Sequence, residues 1–558
     1  MNAIMRPGES RPAGHHGCAA YPIISGIEGK REGLLQVYLV NPSDVSFGVG
    51  VITPRWLYVL AGATPRSFGD PIVVDETIET FRTERIHPGD IVGIGIHTSN
   101  AHRGYELGRM VRRRGGFPVF GGIHASLFPE ESFEHGHAES VVRGDGDLIW
   151  ATILSDWVEH CMKPVYDGGM ISGPDFATAR WDLLSRRSYM WASVQTVRGC
   201  PKHCSFCSVW RTDGQVPRQR PVKDVIDEVT TLRRMGFRFI ALADDNFYPV
   251  TLHDLNQAAQ QQDKRRYEQL SSLMAERRSL MEQLSRIPAP DLIMFTQITM
   301  EAAEDPDFLK LMQSARIKGA LVGVESVTAE GLKNIYKGFN VSGENLIARL
   351  QTFRQFGIHV LGSFIFGLPT DTPESFSATC DIADRSGMAF AQFVPLTPFP
   401  GTIDFEKWEK DVTGAKRDMD NTPVTRHWLI PTEQRPKVYI PHPKMSPEEI
   451  RSRTQQVWDS FYSLAKIWRR SRCVPTLRSR LAFLLISKLY CHMYAKTGIA
   501  TDSARQSVAV KWARIIGRPC QRLFAAKPMP ELQAVPTGQI GKGFPGVQPA
   551  VKANPISN

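Results

Sequence analysis

Short apolar runs of three to eight residues, separated by stretches of helical periodicity, dominate this chain from about residue 34 onward. The first five are Leu35–Val40, Pro71–Asp75, Ile91–His97, Pro118–Phe120 and Ser140–Arg143. Strands that alternate with helices predict a doubly wound parallel sheet, with any ligand lying across the C-terminal strand ends. A second series, Ala192–Val197, Phe237–Ala243, Leu292–Thr299, Ala320–Val324, His359–Phe366 and Ala391–Thr397, supplies six more strands with helical patterns such as Val222–Met235 between them. One connection in this second unit is unusually long. Leu252–Arg286 is rich in charge, but Leu270, Leu273, Met274, Leu280, Met281 and Leu284 recur at near-helical spacing, which predicts a helical extension on the unit's exterior.

Beyond residue 400 the pattern is helical. Ser446-Pro-Glu-Glu449 has the form of a capping box with proline at the first helical position. It predicts a helix to about Arg470 with a buried stripe of Ile450, Val457, Phe461, Leu464 and Trp468. Residues 1–33 and 528–558 are rich in Gly, Pro and Ser without apolar periodicity and read as a disordered leader and tail. Between them the chain divides into a first α/β domain (34–160), a linker (161–190), a second α/β unit (191–400) and a basic helical region (401–527).

A length of 558 residues permits two or three well-buried cores. Six of the nine cysteines are scattered singly and no signal peptide opens the sequence, which argues against a disulfide scaffold and for a reducing cytoplasm. The net charge is +10, and from Lys466 to Lys527 about fourteen Lys or Arg face the single acid Asp502. Packing of these helices across the mouth of the second unit is one reading, and peripheral membrane contact is the other. No nucleic-acid recognition module is evident, and no apolar stretch is long enough to span a membrane.

The remaining three cysteines carry the chemistry. Cys200, Cys204 and Cys207 form a C-x3-C-x2-C array just after an apolar run, so they lie at the C-terminal end of a strand. Three thiolates can wrap one metal centre but are one ligand short of closing it, which implies an open coordination position. A zinc knuckle would need a further Cys or His pair nearby, and none is present.

The array, with the aromatic Phe206 before its last cysteine, resembles the signature of the radical S-adenosylmethionine (radical SAM) enzymes. Two later segments resemble that family's SAM-binding strands: Gly319–Ser326 with Glu325, followed by Lys337-Gly338, and Leu361–Asp371 with Gly362 and Gly367. Asp244, Asp245 and Gln297, at the ends of the second and third strands, fall where other SAM contacts are expected. The first domain resembles the cobalamin-binding domain of one class of these enzymes in three loops: Thr98-Ser99-Asn100, Gly121-Gly122-Ile123-His124-Ala125 and Gly144-Asp-Gly-Asp147. It lacks the D-x-H-x-x-G motif that supplies a histidine to cobalt elsewhere, and no motif assigns His124 that role.

The resemblance implies a Rossmann-like cobalamin domain followed by a partial (β/α)6 barrel. It implies three cofactors: a 4Fe-4S cluster on the three cysteines, SAM on the open iron, and cobalamin at Thr98, Ser99, Gly121, Gly122 and Gly144. It further implies a flavodoxin- or ferredoxin-type electron donor, a 5′-deoxyadenosyl radical and a small-molecule substrate. Methylation of an unactivated carbon in a lipid, tetrapyrrole or other natural product is the activity this favours. A radical oxidase, cyclase or rearrangement enzyme is the alternative within the family, and a non-catalytic cofactor-binding regulator is the alternative outside it.

Overall fold

The computed structural model describes residues 35–48, 50–185, 188–412, 422–431, 434–435 and 440–497, with 515, 519, 521–522 and 525–532 near the C-terminus. The proposed leader and most of the proposed tail lie outside these residues. The N-terminal part contributes β1 (Val37–Asn41), β2 (Gly50–Ile52), β3 (Ile72–Asp75), β4 (Ile91–Gly95), β5 (Phe117–Gly121), β6 (Ser140–Arg143) and β7 (Val165–Asp167). Next come β8 (Tyr189–Val194), a short antiparallel ribbon of β9 (Val197–Arg198) and β10 (Arg218–Gln219), and β11 (Phe239–Leu242). The last strands are β12 (Ile293–Ile298), β13 (Ile317–Glu325), β14 (His359–Phe366) and β15 (Phe390–Pro395).

Two parallel sheets result. The first has the order β3-β1-β4-β5-β6-β7, so the connections reverse direction between β1 and β4 and open a crevice at their C-terminal ends. The second has the order β15-β14-β13-β12-β11-β8-β2, an open parallel half-barrel. Alternation along its strands is plain. Met294, Thr296 and Ile298 of β12 are buried under the outer helices, whereas Gln297 is exposed towards the lumen.

Four expectations need correction. β2 leaves the N-terminal part and pairs with β8, so the half-barrel has seven strands rather than six. Val165–Asp167, placed in the linker by pattern, pairs with β6 and is the edge of the first sheet. The charged segment is helical, as its periodicity predicts, but it packs into the outer helix layer rather than extending from it: it forms the helices Leu252–Gln260 and Lys264–Arg286, and the second buries Met274, Arg277, Leu280, Met281 and Leu284. Finally, residues 525–532 dock on the barrel, where Phe237 bridges Ala525, Met529 N–H donates to Arg234 O and Leu532 is buried.

The C-terminal region is likewise part of both domains rather than an appendage. Phe405, Trp408 and Trp428 join the core of the first domain. The helix Pro447–Phe461 packs beside the edge strand β15, not across the barrel mouth, and its side chains cover that strand's free backbone. Tyr462 OH donates to Ala391 O (2.8 Å) and accepts from Ala391 N–H (3.0 Å), while Trp458 Nε1 donates to Phe393 O (2.8 Å). Ser446 Oγ caps the helix by accepting from Glu449 N–H. The helix ends at Phe461, and a new one, Leu464–Arg470, turns Leu464 and Trp468 outward instead of into the predicted stripe.

One buried charge cluster holds the two domains together. Arg55, just after β2, donates from Nε and Nη2 to Glu228 of the barrel helix Val222–Arg234 (2.8 and 3.0 Å), and Arg220 and Trp181 Nε1 donate to the same carboxylate. Burial opposes the charge on Glu228, but the two guanidiniums outweigh it and hold the carboxyl below its usual range. Glu228→Ala leaves two buried cations facing each other, which costs about 3–5 kcal/mol. We expect a clearly lowered midpoint in thermal unfolding. An unchanged midpoint would mean that the domains are held by apolar contact alone.

Candidate functional site

The cysteine loop is built on a short root. Asp244, at the end of β11, accepts from Thr196 N–H and Val197 N–H (2.5 and 3.0 Å) and from Thr196 Oγ1. Arg277 closes over it, donating from Nη1 to Thr196 Oγ1 (2.7 Å) and pairing with Asp244 at 3.4 Å. Asp244 is therefore no SAM contact: its side chain is fully buried and both oxygens are engaged in holding the loop. The neighbouring Asp245 accepts from Gly199 N–H (2.7 Å) and stands near Cys200. Burial, reinforced by Asp213, pushes its carboxyl up to about 7. Gly199 has φ +88°, and a Cβ there would meet the carbonyls of Gly214, Val216 and Asp213 at 2.9–3.1 Å, so the turn into the cysteines requires glycine.

The three thiols are drawn together by this loop and influence one another. Burial pushes Cys200 up to about 11 and Cys207 up to about 12, with repulsion from Cys204 adding at both, and burial together with Glu325 raises Cys204. As thiolates they need compensating positive charge, which iron would supply.

Lys337 is the protein's own cation at the site. Its buried Nζ lies 3.0 Å from Glu325 Oε1 and acts electrostatically on Cys204 and Cys207. Phe206 lies beneath it, with Nζ 5.8 Å from the ring centroid. Glu325 has φ +66° at a register shift between β13 and β14, an uncommon conformation for a residue with a side chain. Gly323 makes room for the pair, since a Cβ there would lie 2.4 Å from Glu325 Oε1 and 2.6 Å from Lys337 Nζ. Gln297 is exposed on the lumen side and reaches Asp245 O at 3.4 Å. Asp245, Gln297 and Glu325 thus share the strand ends nearest the thiols.

Two predicted glycines have other reasons. A Cβ on Gly362 would meet Met388 Sδ at 2.8 Å on the face of β14 that carries Phe364, so packing accounts for it. Gly367 has φ +86°, and its N–H and that of Leu368 both donate to Asp371 Oδ2 (2.9 and 3.0 Å), forming the turn that ends the strand.

A cavity of about 760 Å³ opens at the C-terminal ends of the first sheet and reaches the half-barrel. Its walls include Gly95–His97, Gly121, Gly122, Gly144 and Asp145 on one side and Gln195, Arg198 and Ala243 on the other. Thr98 and Ser99 do not line it. Thr98 Oγ1 bonds His124 Nδ1 (3.2 Å) and Ser99 Oγ bonds His97 Nδ1 (2.8 Å), so His97 replaces them on the wall. His124 is fully buried and also bonds Glu131 (3.3 Å), which accepts from Trp428 Nε1 (3.0 Å). The two glycines of the paired loop differ. Gly122 (φ +92°) packs against Ile96, where a Cβ would come within 2.6 Å of the carbonyl, whereas a Cβ on Gly121 would meet nothing closer than Val142 at 3.8 Å. Gly144 (φ +74°) is required by the approach of Gly169 O.

Sequence reasoning missed the bridge between cavity and cysteine loop. Arg198, two residues before Cys200, donates from Nη1 to Asp145 (2.7 Å) and Asp147 (3.0 Å), and Arg218 also pairs with Asp145. The acids of the Gly-Asp-Gly-Asp turn therefore clamp the loop's base. The signal available was the doubled acid in one turn and the arginine doublet of β9 and β10.

Residues 194–383 match the Radical SAM superfamily. The chain is 26% identical over 342 residues to bacteriochlorophyllide d C-8(2)-methyltransferase from Chlorobaculum tepidum, covering 58% of this chain and 71% of that protein. In three dimensions it is similar to the radical S-adenosylmethionine methyltransferase TsrM from Kitasatospora setae, solved with cobalamin and a [4Fe-4S] cluster bound. That likeness has a TM-score of 0.60 at 17% identity and covers 82% of this chain and 99% of TsrM. The cobalamin-dependent S-adenosylmethionine radical enzyme OxsB, solved with aqua-cobalamin bound, also gives a TM-score of 0.60, at 13% identity over 89% of this chain and 78% of OxsB.

Proposed function

Because residues 194–383 are a radical SAM domain set in the fold of the cobalamin-binding members of that superfamily, we propose that this chain is a cobalamin-dependent methyltransferase acting on an unactivated carbon of a small molecule. The observation that carries this reading is the cavity whose walls come from both the first sheet and the base of the cysteine loop, so that a ligand filling it faces the barrel lumen. When bound, the cluster and SAM supply a carbon-centred radical, and cobalamin supplies a methyl carrier.

The chain's own residues do the positioning. Cys200, Cys204 and Cys207 would hold the cluster, which with only three protein ligands would offer a coordination position to SAM. Lys337 offsets negative charge at Cys204 and Cys207 and fixes Glu325, whose second oxygen remains available to ribose hydroxyls or the SAM ammonium. Asp245 and Gln297 border the same space. Gly121, Gly122 and His97 bound the cavity, and Arg198 couples its Asp145–Asp147 rim to the cluster loop. An acidic electron donor of flavodoxin or ferredoxin type belongs to this reading, as does a substrate of lipid, tetrapyrrole or other natural-product class.

Anaerobic reduction of the reconstituted protein with methyl-labelled SAM tests it. We expect 5′-deoxyadenosine together with label in a non-SAM product. Formation of 5′-deoxyadenosine with cobalamin bound and no label transferred would favour a radical oxidase or cyclase instead. Absence of SAM cleavage in protein with a full cluster would leave only a cofactor-binding role.

Glu325 gives a sharper test of the SAM site. Glu325→Gln keeps the side chain's shape but removes a charged hydrogen-bond partner, a loss of about 1.5–3 kcal/mol. SAM affinity is expected to fall about 10- to 100-fold with the cluster intact, as read by equilibrium binding and by absorption. Unchanged SAM affinity would assign Glu325 to Lys337 alone.

A further inference from the structure

The helix Leu477–Thr497 is apolar on two opposite sides, yet the barrel buries only one of them. Phe483 and Tyr490 pack against Phe390 of the edge strand, at ring-centroid distances of 5.2 and 5.6 Å, and Tyr490 OH reaches Gln392 (3.4 Å). On the outward side Leu477, Leu481 and Leu485, spaced four residues apart on one helical face, are 64, 54 and 56% exposed. Ile486 is exposed too, as are Leu464 and Trp468 of the preceding helix. Contiguous exposed leucines of this kind mark an interaction surface, and the exposed Lys488 and His492 extend the same side of the helix.

The charge around this patch selects the partner. From Leu464 to Thr497 the sequence has eight Lys or Arg and no Asp or Glu. Arg472 and Arg478 are exposed on this segment, Arg480 lies over the Trp468 ring at 4.0 Å, and Arg469, also exposed, pairs with Asp384 at 3.7 Å. A second copy of the chain would bring the same cations face to face. The segment 498–527 would do so too, with six Lys or Arg against Asp502 alone. An acidic protein or a nucleic acid would satisfy the arginines but leave the leucines without a counterpart. Exposed leucines, a tryptophan and a basic rim on adjoining helices are together suited to an anionic bilayer, where the apolar side chains enter the acyl boundary and the guanidiniums meet phosphate. No described helix is long and apolar enough to cross a membrane, so contact is confined to the surface.

We propose that the outward face of the helices Leu464–Arg470 and Leu477–Thr497 docks this protein on an anionic phospholipid bilayer. The face is remote in sequence from the cluster and cavity residues, so the inference stands apart from the reaction assigned above.

Flotation of the full-length protein with vesicles tests it, comparing pure phosphatidylcholine with phosphatidylcholine containing phosphatidylglycerol. Two double variants are compared with the parent: Leu481→Asp with Leu485→Asp, and Arg472→Glu with Arg478→Glu. Both pairs are exposed, so folding is expected to survive, and the cluster absorbance and SAM cleavage of each variant check that it does. The expected result is flotation with the anionic vesicles only, weakened by salt and reduced at least about tenfold in both variants. Failure of the parent to float with anionic vesicles overturns the proposal. So does loss in the arginine variant alone, which would point to an acidic partner, or a lipid-free dimer that the leucine variant converts to monomer.

Discussion

Cys204→Ala is expected to abolish the iron-sulfur absorption and electron paramagnetic resonance signals and, with them, all SAM cleavage. The thiol is buried, its carbonyl accepts from Trp210 Nε1 (3.2 Å) and from Cys207 N–H (3.2 Å), and the loop around it is held by Asp244, Arg277 and Gly199 independently of the side chain. Removing one sulfur therefore takes away a ligand without unravelling its setting, and the unfolding midpoint of the metal-free protein is expected to stay close to the parent's. Cys380→Ala provides the contrast. That thiol is buried far along the chain, beside Ser460 (3.5 Å) and Lys466 (3.7 Å), where no iron is expected. Full iron content and SAM cleavage in Cys204→Ala would refute the cluster assignment.

The setting of that cysteine also marks where sequence patterns stop being informative. The long strands of both sheets were legible because four or more apolar residues bounded by helical stretches have few other uses. β2 and β7 were not, since three residues carry no period and Val51 and Ile52 are exposed despite pairing. The capped start at Ser446 was legible, but the break at Tyr462–Ser463 carries no glycine or proline, so periodicity ran the stripe on to Leu464 and Trp468.

In the site, spacing located the cysteines and the strand-end carboxylates but could not assign their partners. Adjacent acids on a strand end point in different directions, and only the fold separates Asp244, turned inward to the loop root, from Asp245 beside the thiols. Arg277 did leave a trace. It falls on the same helical face as Met274, Met281 and Leu284, a buried stripe in which a charge needs a buried counterpart. For the paired glycines no pattern could tell which one faces a ligand, because that depends on whether Ile96 or open space lies opposite.

That distinction sets the experiment with the other large expected effect. Gly122 sits at φ +92° and ψ 178°, a region essentially closed to other residues, with the Ile96 carbonyl where a Cβ would be. Gly122→Ala would strain the loop by about 1–3 kcal/mol whether or not anything binds there, so its effect on cobalamin would be ambiguous. Gly121 closes β5 with ordinary strand geometry, lines the cavity and has open space in front of it. Gly121→Leu therefore places a side chain in the cavity while leaving the backbone unstrained. The full-length chain is the right vehicle, because Gln195, Arg198 and Ala243 of the barrel complete the walls and β2 ties the domains together. We expect hydroxocobalamin binding to fall by about two orders of magnitude or more. Thermal stability, the cluster and SAM cleavage to 5′-deoxyadenosine should persist, and label transfer from SAM should cease. A stable Gly121→Leu protein that binds hydroxocobalamin as tightly as the parent would move the corrinoid out of this cavity and remove the basis for methyl transfer.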